Sequence, residues 1–158
     1  MITRIGFTVL AVLALSIAAQ AADMDSGTWV MNVAKSTASD GNLRRSNTQV
    51  VSYDGGWRIV KNDIVDKDGK ATRVNHMGKD DGVARPEIGN GPDAVGMLTT
   101  FTKSDDFHWK VVSVAVTGKI RMTQVTVISP DGKVKTNTVT GVDKDGKTSN
   151  SVTVFDKQ

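Results

Sequence analysis

Residues 101–142 read FTKSDDFHWKVVSVAVTGKIRMTQVTVISPDGKVKTNTVTGV, and this stretch decides the fold. Three turn signals break it: Ser104-Asp105-Asp106, Thr117-Gly118 and Pro130-Asp131-Gly132. Asp bonds its own backbone in a turn, and Gly takes the positive φ that a tight hairpin demands. Between the turns lie runs of Val, Thr and Ile, whose branched side chains suit a pleated, half-buried surface. The stretch therefore predicts successive antiparallel strands over Met97–Lys103, Phe107–Val116, Ile120–Ser129 and Lys133–Val142.

The same pattern extends in both directions. Asp54-Gly55-Gly56, Lys67-Asp68-Gly69, Asp81-Gly82 and Lys144-Asp145-Gly146 are further turn signals. They bound predicted strands at Gln49–Tyr53, Trp57–Val65, Lys70–Met77 and Lys147–Asp156, with Thr28–Val33 opening the series. Short strands at this spacing indicate a sandwich or a barrel. Val65–Lys70 (VDKDGK) recurs as Val142–Lys147, and Ser129–Lys133 is a near copy: one hairpin solution used repeatedly. Lys79–Gly96, which contains Pro86 and Pro92, breaks the spacing and is expected to be a long irregular loop able to act as a gate.

Alternation assigns the faces. With the three turn signals of residues 101–142 as loops, one face collects Phe101, Phe107, Trp109, Val111, Ser113, Ala115, Ile120, Met122, Gln124, Thr126, Ile128, Val134, Thr136, Thr138 and Thr140. The other collects Lys110, Arg121, Lys133 and Lys135 among Val112, Val114, Val125, Val127 and Val139. Unpaired charge is costly to bury, so the neutral face is expected inside. Ser113, Gln124, Thr126, Thr136 and Thr138 in its middle would be poorly satisfied in a packed interior, which points to a cavity. The competing arrangement makes the outer valines the core. A one-residue slip inverts every assignment.

The first residues differ from the rest. Arg4 precedes an uncharged run, Ile5–Ile17, and Ala19-Gln20-Ala21 has the small-x-small pattern of a cleavage site. Residues 1–21 thus read as a cleavable signal peptide, and 22–158 as one domain. The apolar run is shorter than the roughly 20 residues that span a bilayer, so no transmembrane anchor is expected after processing. Loss of Arg4 takes the net charge from +3 to +2, and no basic cluster exceeds Arg44-Arg45, which argues against nucleic-acid binding. The chain has no cysteine, which excludes disulfides, thiol catalysis and thiolate metal sites.

The opening strand reads Gly27-Thr28-Trp29 and continues to Ser36 as GTWVMNVAKS. Together with the PDGK hairpin, the GVDKDGK hairpin and the terminal VFDKQ, it resembles a family of small exported bacterial lipocalin-like proteins of the calycin type, whose function is uncharacterised. The resemblance spans nearly the whole mature chain. It implies an all-β, antiparallel up-and-down meander closing into a lipocalin-like barrel of eight to ten strands, with the Trp closing one end and an interior site. Larger lipocalins carry a later arginine motif, for which Arg121 is the candidate.

Little in the chain suggests catalysis. Asp66-x-Asp68-Gly69 and Asp143-x-Asp145-Gly146 resemble fragments of calcium loops, but each lacks the further oxygen ligands and follows Gly with Lys, so both read as hairpin turns. His76 and His108 lie on separate strands and fall short of the three or four ligands zinc requires. Asp63 and Arg73 should face each other across the Lys67–Gly69 hairpin, as an ion pair rather than as a ligand anchor inside the barrel. No nucleophile-elbow or phosphate-loop motif is present. The expectation is an exported, periplasmic or secreted, non-catalytic protein with no cofactor and no metal. It would hold a small lipophilic molecule against Phe101, Trp109, Met122, Gln124, Thr126 and Thr138. The alternative is a filled barrel whose loops dock on an envelope protein.

Overall fold

The computed structural model describes residues 23–89, 96–118 and 121–158. The leader (1–21), Ile120 and part of the expected gate (90–95) lie outside them. Among the described residues there are twelve strands: β1 Gly27–Met31, β2 Thr37–Ala38, β3 Ser46–Asp54, β4 Trp57–Val65, β5 Ala71–Gly78, β6 Arg85–Pro86, β7 Ile88–Gly89, β8 Met97–Lys103, β9 His108–Ala115, β10 Arg121–Ile128, β11 Val134–Val142 and β12 Thr148–Lys157. Val33–Lys35 forms a single 3-10 turn after β1, capped by the Asn32 side chain. All nine long strands fall where the turn signals and β-branched runs put them.

The strands form one antiparallel sheet in the order β6-β8-β9-β10-β11-β12-β1-β3-β4-β5-β7, with β2 against β12. Consecutive long strands pair in order apart from β5 and β8, and β12 returns to pair with β1 and so curls the sheet into a barrel. The last gap lies between β5 and β8. Unpaired strand edges leave backbone donors and acceptors unsatisfied, and the described part of the expected gate fills the gap. Arg85 and Pro86 pair with Thr99 and Leu98 of β8, while Ile88 and Gly89 pair with Met77 and His76 of β5. What the sequence presents as an irregular loop is here the seam of a nearly closed barrel.

The predicted faces hold on β8, β9 and β10. Phe101, Trp109, Val111, Ser113, Thr126 and Ile128 are buried, while Val125 and Val127 are exposed, so the outer valines are not the core. On β11 the expectation fails by one residue. Ile128 pairs with Lys135, and the Ser129 N–H bonds the Val134 carbonyl. The loop therefore has four residues, 130–133, instead of three. Two side chains account for the extra residue: Asp131 accepts from the Lys133 N–H at 3.1 Å, and the Ser129 hydroxyl donates to Asp131 and accepts from the Val134 N–H. The inward residues of β11 are Lys135, Asn137 and Val139. Thr138 and Thr140 are exposed and Thr136 points outward with them, contrary to the neutral-face assignment.

The core gathers at one end of the barrel, where Trp29, Met31, Val51, Val60, Trp109, Ile128 and Phe155 pack together. Trp29 is fully buried there, and its indole N–H donates to the Asp25 carbonyl at 2.8 Å. Lys135 and Lys157 lie over its ring at 4.5 and 4.9 Å from the centroid. Arg121, the candidate for the later arginine motif, is exposed at the start of β10.

The seam depends on a close backbone approach. A Cβ on Gly89 would stand 2.4 Å from the Asn75 carbonyl oxygen, which cannot swing aside as a side chain can. Gly89→Ala should therefore detach β7 from β5 and lower the unfolding free energy by about 1–3 kcal/mol. Urea titration followed by far-UV circular dichroism measures this.

Candidate functional site

Polar groups concentrate inside this barrel in two places, a sealed floor and a hollow above it. The floor centres on Asp25, which is fully buried. Arg58 of β4 donates to its Oδ2, Nε at 2.7 Å and Nη2 at 2.5 Å, and Lys135 of β11 reaches Oδ1 at 3.1 Å. Burial pushes the Asp25 carboxyl up, but Arg58 and Lys135 outweigh it and hold the group below the usual carboxylate range. Lys135 is pushed down to about 8, burial outweighing the attraction of Asp25. Asp80 is the second floor carboxylate; it accepts from Trp109 Nε1 and the Tyr53 hydroxyl, each at 3.3 Å, and burial raises its pKa.

Above the floor lies a cavity of about 540 Å³. Amide side chains band its lower walls. Lys135 donates to Gln49 Oε1, Gln49 Nε2 donates to Asn62 Oδ1 at 3.0 Å, and Asn62 Nδ2 reaches the Val74 carbonyl at 3.4 Å. On the opposite wall Gln124 donates to Thr126 Oγ1, and Thr126 to Asn137 Oδ1. Met31, Val60, Val74, Phe101, Val111 and Met122 supply apolar surface between them. Asn47, 2 % exposed and nearer the mouth, has an Oδ1 with no hydrogen-bond partner.

Of the six residues expected to hold a ligand, Phe101, Met122 and Gln124 line this cavity. Trp109 and Thr126 are buried behind the wall, the first in the floor and the second bonded between Gln124 and Asn137. Thr138 is on the outer surface, because the longer β10–β11 loop turns it out and brings Asn137 and Val139 in. Sequence reasoning missed Asn47, Gln49, Asn62 and Asn137. Asn47 and Gln49 share one face of β3, and that alternation was the signal available.

His76 also lines the cavity. Its Nδ1 is 2.8 Å from Oε1 of Glu87, the residue between β6 and β7. Burial raises the Glu87 pKa, but bonds to His76 and Thr99 outweigh that and lower it. Thr99 in turn bonds the Ser113 hydroxyl at 2.9 Å. The carboxylate thus ties the seam to β5 and β8. His108 is exposed and pairs with Asp105.

The remaining acidic motifs serve local structure. Asp66 Oδ1 accepts from the Asp68 and Lys70 N–H groups, and Asp143 Oδ1 from those of Asp145 and Lys147, each at 2.9 Å. Asp63 and Arg73 pair at 2.6 Å on the outer surface. Among the described residues no group of three or more His, Asp or Glu is placed to hold a metal ion, and no helix is long and apolar enough to cross a membrane. Fold and site together define a hollow antiparallel β-barrel with an amide-banded interior. No protein-family model matches the chain, and no curated protein matches its sequence.

Removing one member of a buried ion cluster leaves the others uncompensated. Asp25→Asn would strand Arg58 and Lys135 together and should cost about 3–5 kcal/mol in urea unfolding at neutral pH. Adding Lys135→Met should recover part of that loss. Asp25 has a depressed pKa in the folded state, so its contribution is complete above the ordinary carboxylate value near 3.9 and disappears as pH falls through the folded value. The Asp25→Asn variant should lack that acid-side decline.

Proposed function

We propose that the chain is an exported, non-catalytic binding protein that holds a small, partly apolar molecule inside its barrel. The observation that carries this reading is the cavity of about 540 Å³ into which the amide of Asn47 is turned without a partner. A volume of this size falls in the range of small-molecule pockets, and its lining mixes apolar side chains with a few polar ones, as such pockets do. Met31, Phe101, Val111, Met122 and Val139 would bury the apolar body, at roughly 25 cal/mol per Å² removed from water. Asn47, Gln124 and Asn137 would orient its polar part. Export rests on the leader-like residues 1–21. A lipocalin-like relationship fits the barrel and the position of Trp29, and the hollow interior weighs against the alternative of a filled docking module.

A titration with the neutral dye Nile red, followed by displacement with dodecanol, tests the reading. Saturable, blue-shifted emission that dodecanol reverses is the expected result. Val139→Trp, which fills the hollow from the wall without touching the floor, should weaken both by at least tenfold while the β-sheet dichroism persists. Absence of saturable binding, or unchanged binding in Val139→Trp, would remove the proposal.

A further inference from the structure

We infer that the molecule held in the barrel carries an acidic group, and that Arg44 at the cavity mouth receives it. This rests on the reading of the hollow as a binding site and names the chemistry of its occupant: an amphiphile with an anionic head at the mouth and an apolar tail inside.

The ionisable residues that line the cavity are Asp40, Arg44, Arg58, Asp66, His76 and Glu87. Five of them are already committed. Arg58 is bound to Asp25, and His76 and Glu87 are bound to each other. Asp40 accepts from the backbone and side-chain nitrogens of Asn42, at 3.0 Å each, and Asp66 accepts from two N–H groups of its own turn. Arg44 is the exception among them, a guanidinium with no ion pair or hydrogen bond among the described residues. Arg44 is exposed at the rim, and desolvation alone shifts its pKa, downward. Its neighbour Arg45 is occupied, donating to the Lys67 carbonyl at 2.9 Å, and does not line the cavity.

The orientation follows from which cation still has free donors. On the floor, Arg58 and Lys135 already donate to Asp25, so an anion brought down there would find both cations engaged. At the mouth, Asp40 and Asp66 are bonded within their own turns, and a carboxylate would meet a guanidinium able to offer it two parallel N–H donors. Below Arg44, Asn47 presents a buried acceptor, and Met122, Val139, Val111 and Phe101 continue the apolar wall toward the floor. The tail therefore points down and the head out.

Laurate and dodecanol share a tail and differ in the head, which makes them the probes. Their dissociation constants are measured by displacement of Nile red at low ionic strength, for the wild-type protein, Arg44→Gln and Arg45→Gln. Arg44→Gln should weaken laurate about tenfold and leave dodecanol within twofold, and added salt should reproduce part of the loss in the wild type. Arg45→Gln should change neither. Equal effects of Arg44→Gln on both probes, or none on laurate, would overturn the inference while the binding cavity stands. If neither probe displaces the dye or binds at all, the cavity reading itself falls and takes the anionic head with it. Arg44 has no partner to lose, so the substitution leaves the fold intact and the comparison clean.

Discussion

The arrangement of this barrel turns on a buried carboxylate held between two cations. Asp25 precedes the first strand, Arg58 belongs to β4 and Lys135 to β11, so a single fully buried group ties together three segments distant in sequence. Lys135 also lies over Trp29, whose indole N–H returns to the Asp25 carbonyl. With its ammonium directed to Asp25 Oδ1 and Gln49 Oε1, Lys135 cannot turn outward without taking the donor from both oxygens, and buried polar groups stripped of partners are costly. Fixing Lys135 inside fixes the whole of β11, because alternate residues of a strand share a face. Asn137 and Val139 enter the cavity wall for that reason.

The same constraint explains where the sequence could be read and where it could not. Each long strand was legible from its turns, since Asp and Gly impose local geometry wherever they occur. The face of β8, β9 and β10 was legible too, because Val114 stands opposite Arg121, the register that the Thr117-Gly118 turn signal implies. The register of β11 was not. It depends on whether Ser129 and Asp131 build a loop of three residues or four, and the letters permit both. The rule that charge stays outside then chose wrongly, because the carboxylate that compensates Lys135 sits at Asp25, more than a hundred residues earlier. Long-range ion pairing leaves no local trace. Thr138 was assigned to the interior on that basis, and Asn137 was overlooked.

The seam makes a related point about loops. Lys79–Gly96 has the glycines and prolines of an irregular connection, yet residues 85–89 complete the sheet between β5 and β8. Pro86 is tolerable there because the segment is only two residues wide on each side and its missing N–H interrupts little. Glu87, the single glutamate of the chain, turns inward from the seam to His76 and Thr99. Closure here comes from side-chain bonding as well as from backbone pairing. The hollow is therefore walled on every side by strands while its upper rim, at Asp40, Arg44 and Asp66, is built from turns and loops.

The chain contains no cysteine, so one introduced thiol reports on one position without ambiguity. Thiol labelling of Asn137→Cys and Thr138→Cys with a bulky, charged maleimide tests the inward placement of β11 most directly. The structure predicts rapid labelling at 138 and slow labelling at 137 until the protein is unfolded in urea. Rapid labelling at 137 with protection at 138 would contradict it, and the amide-banded wall together with the buried place of Lys135 would have to be abandoned.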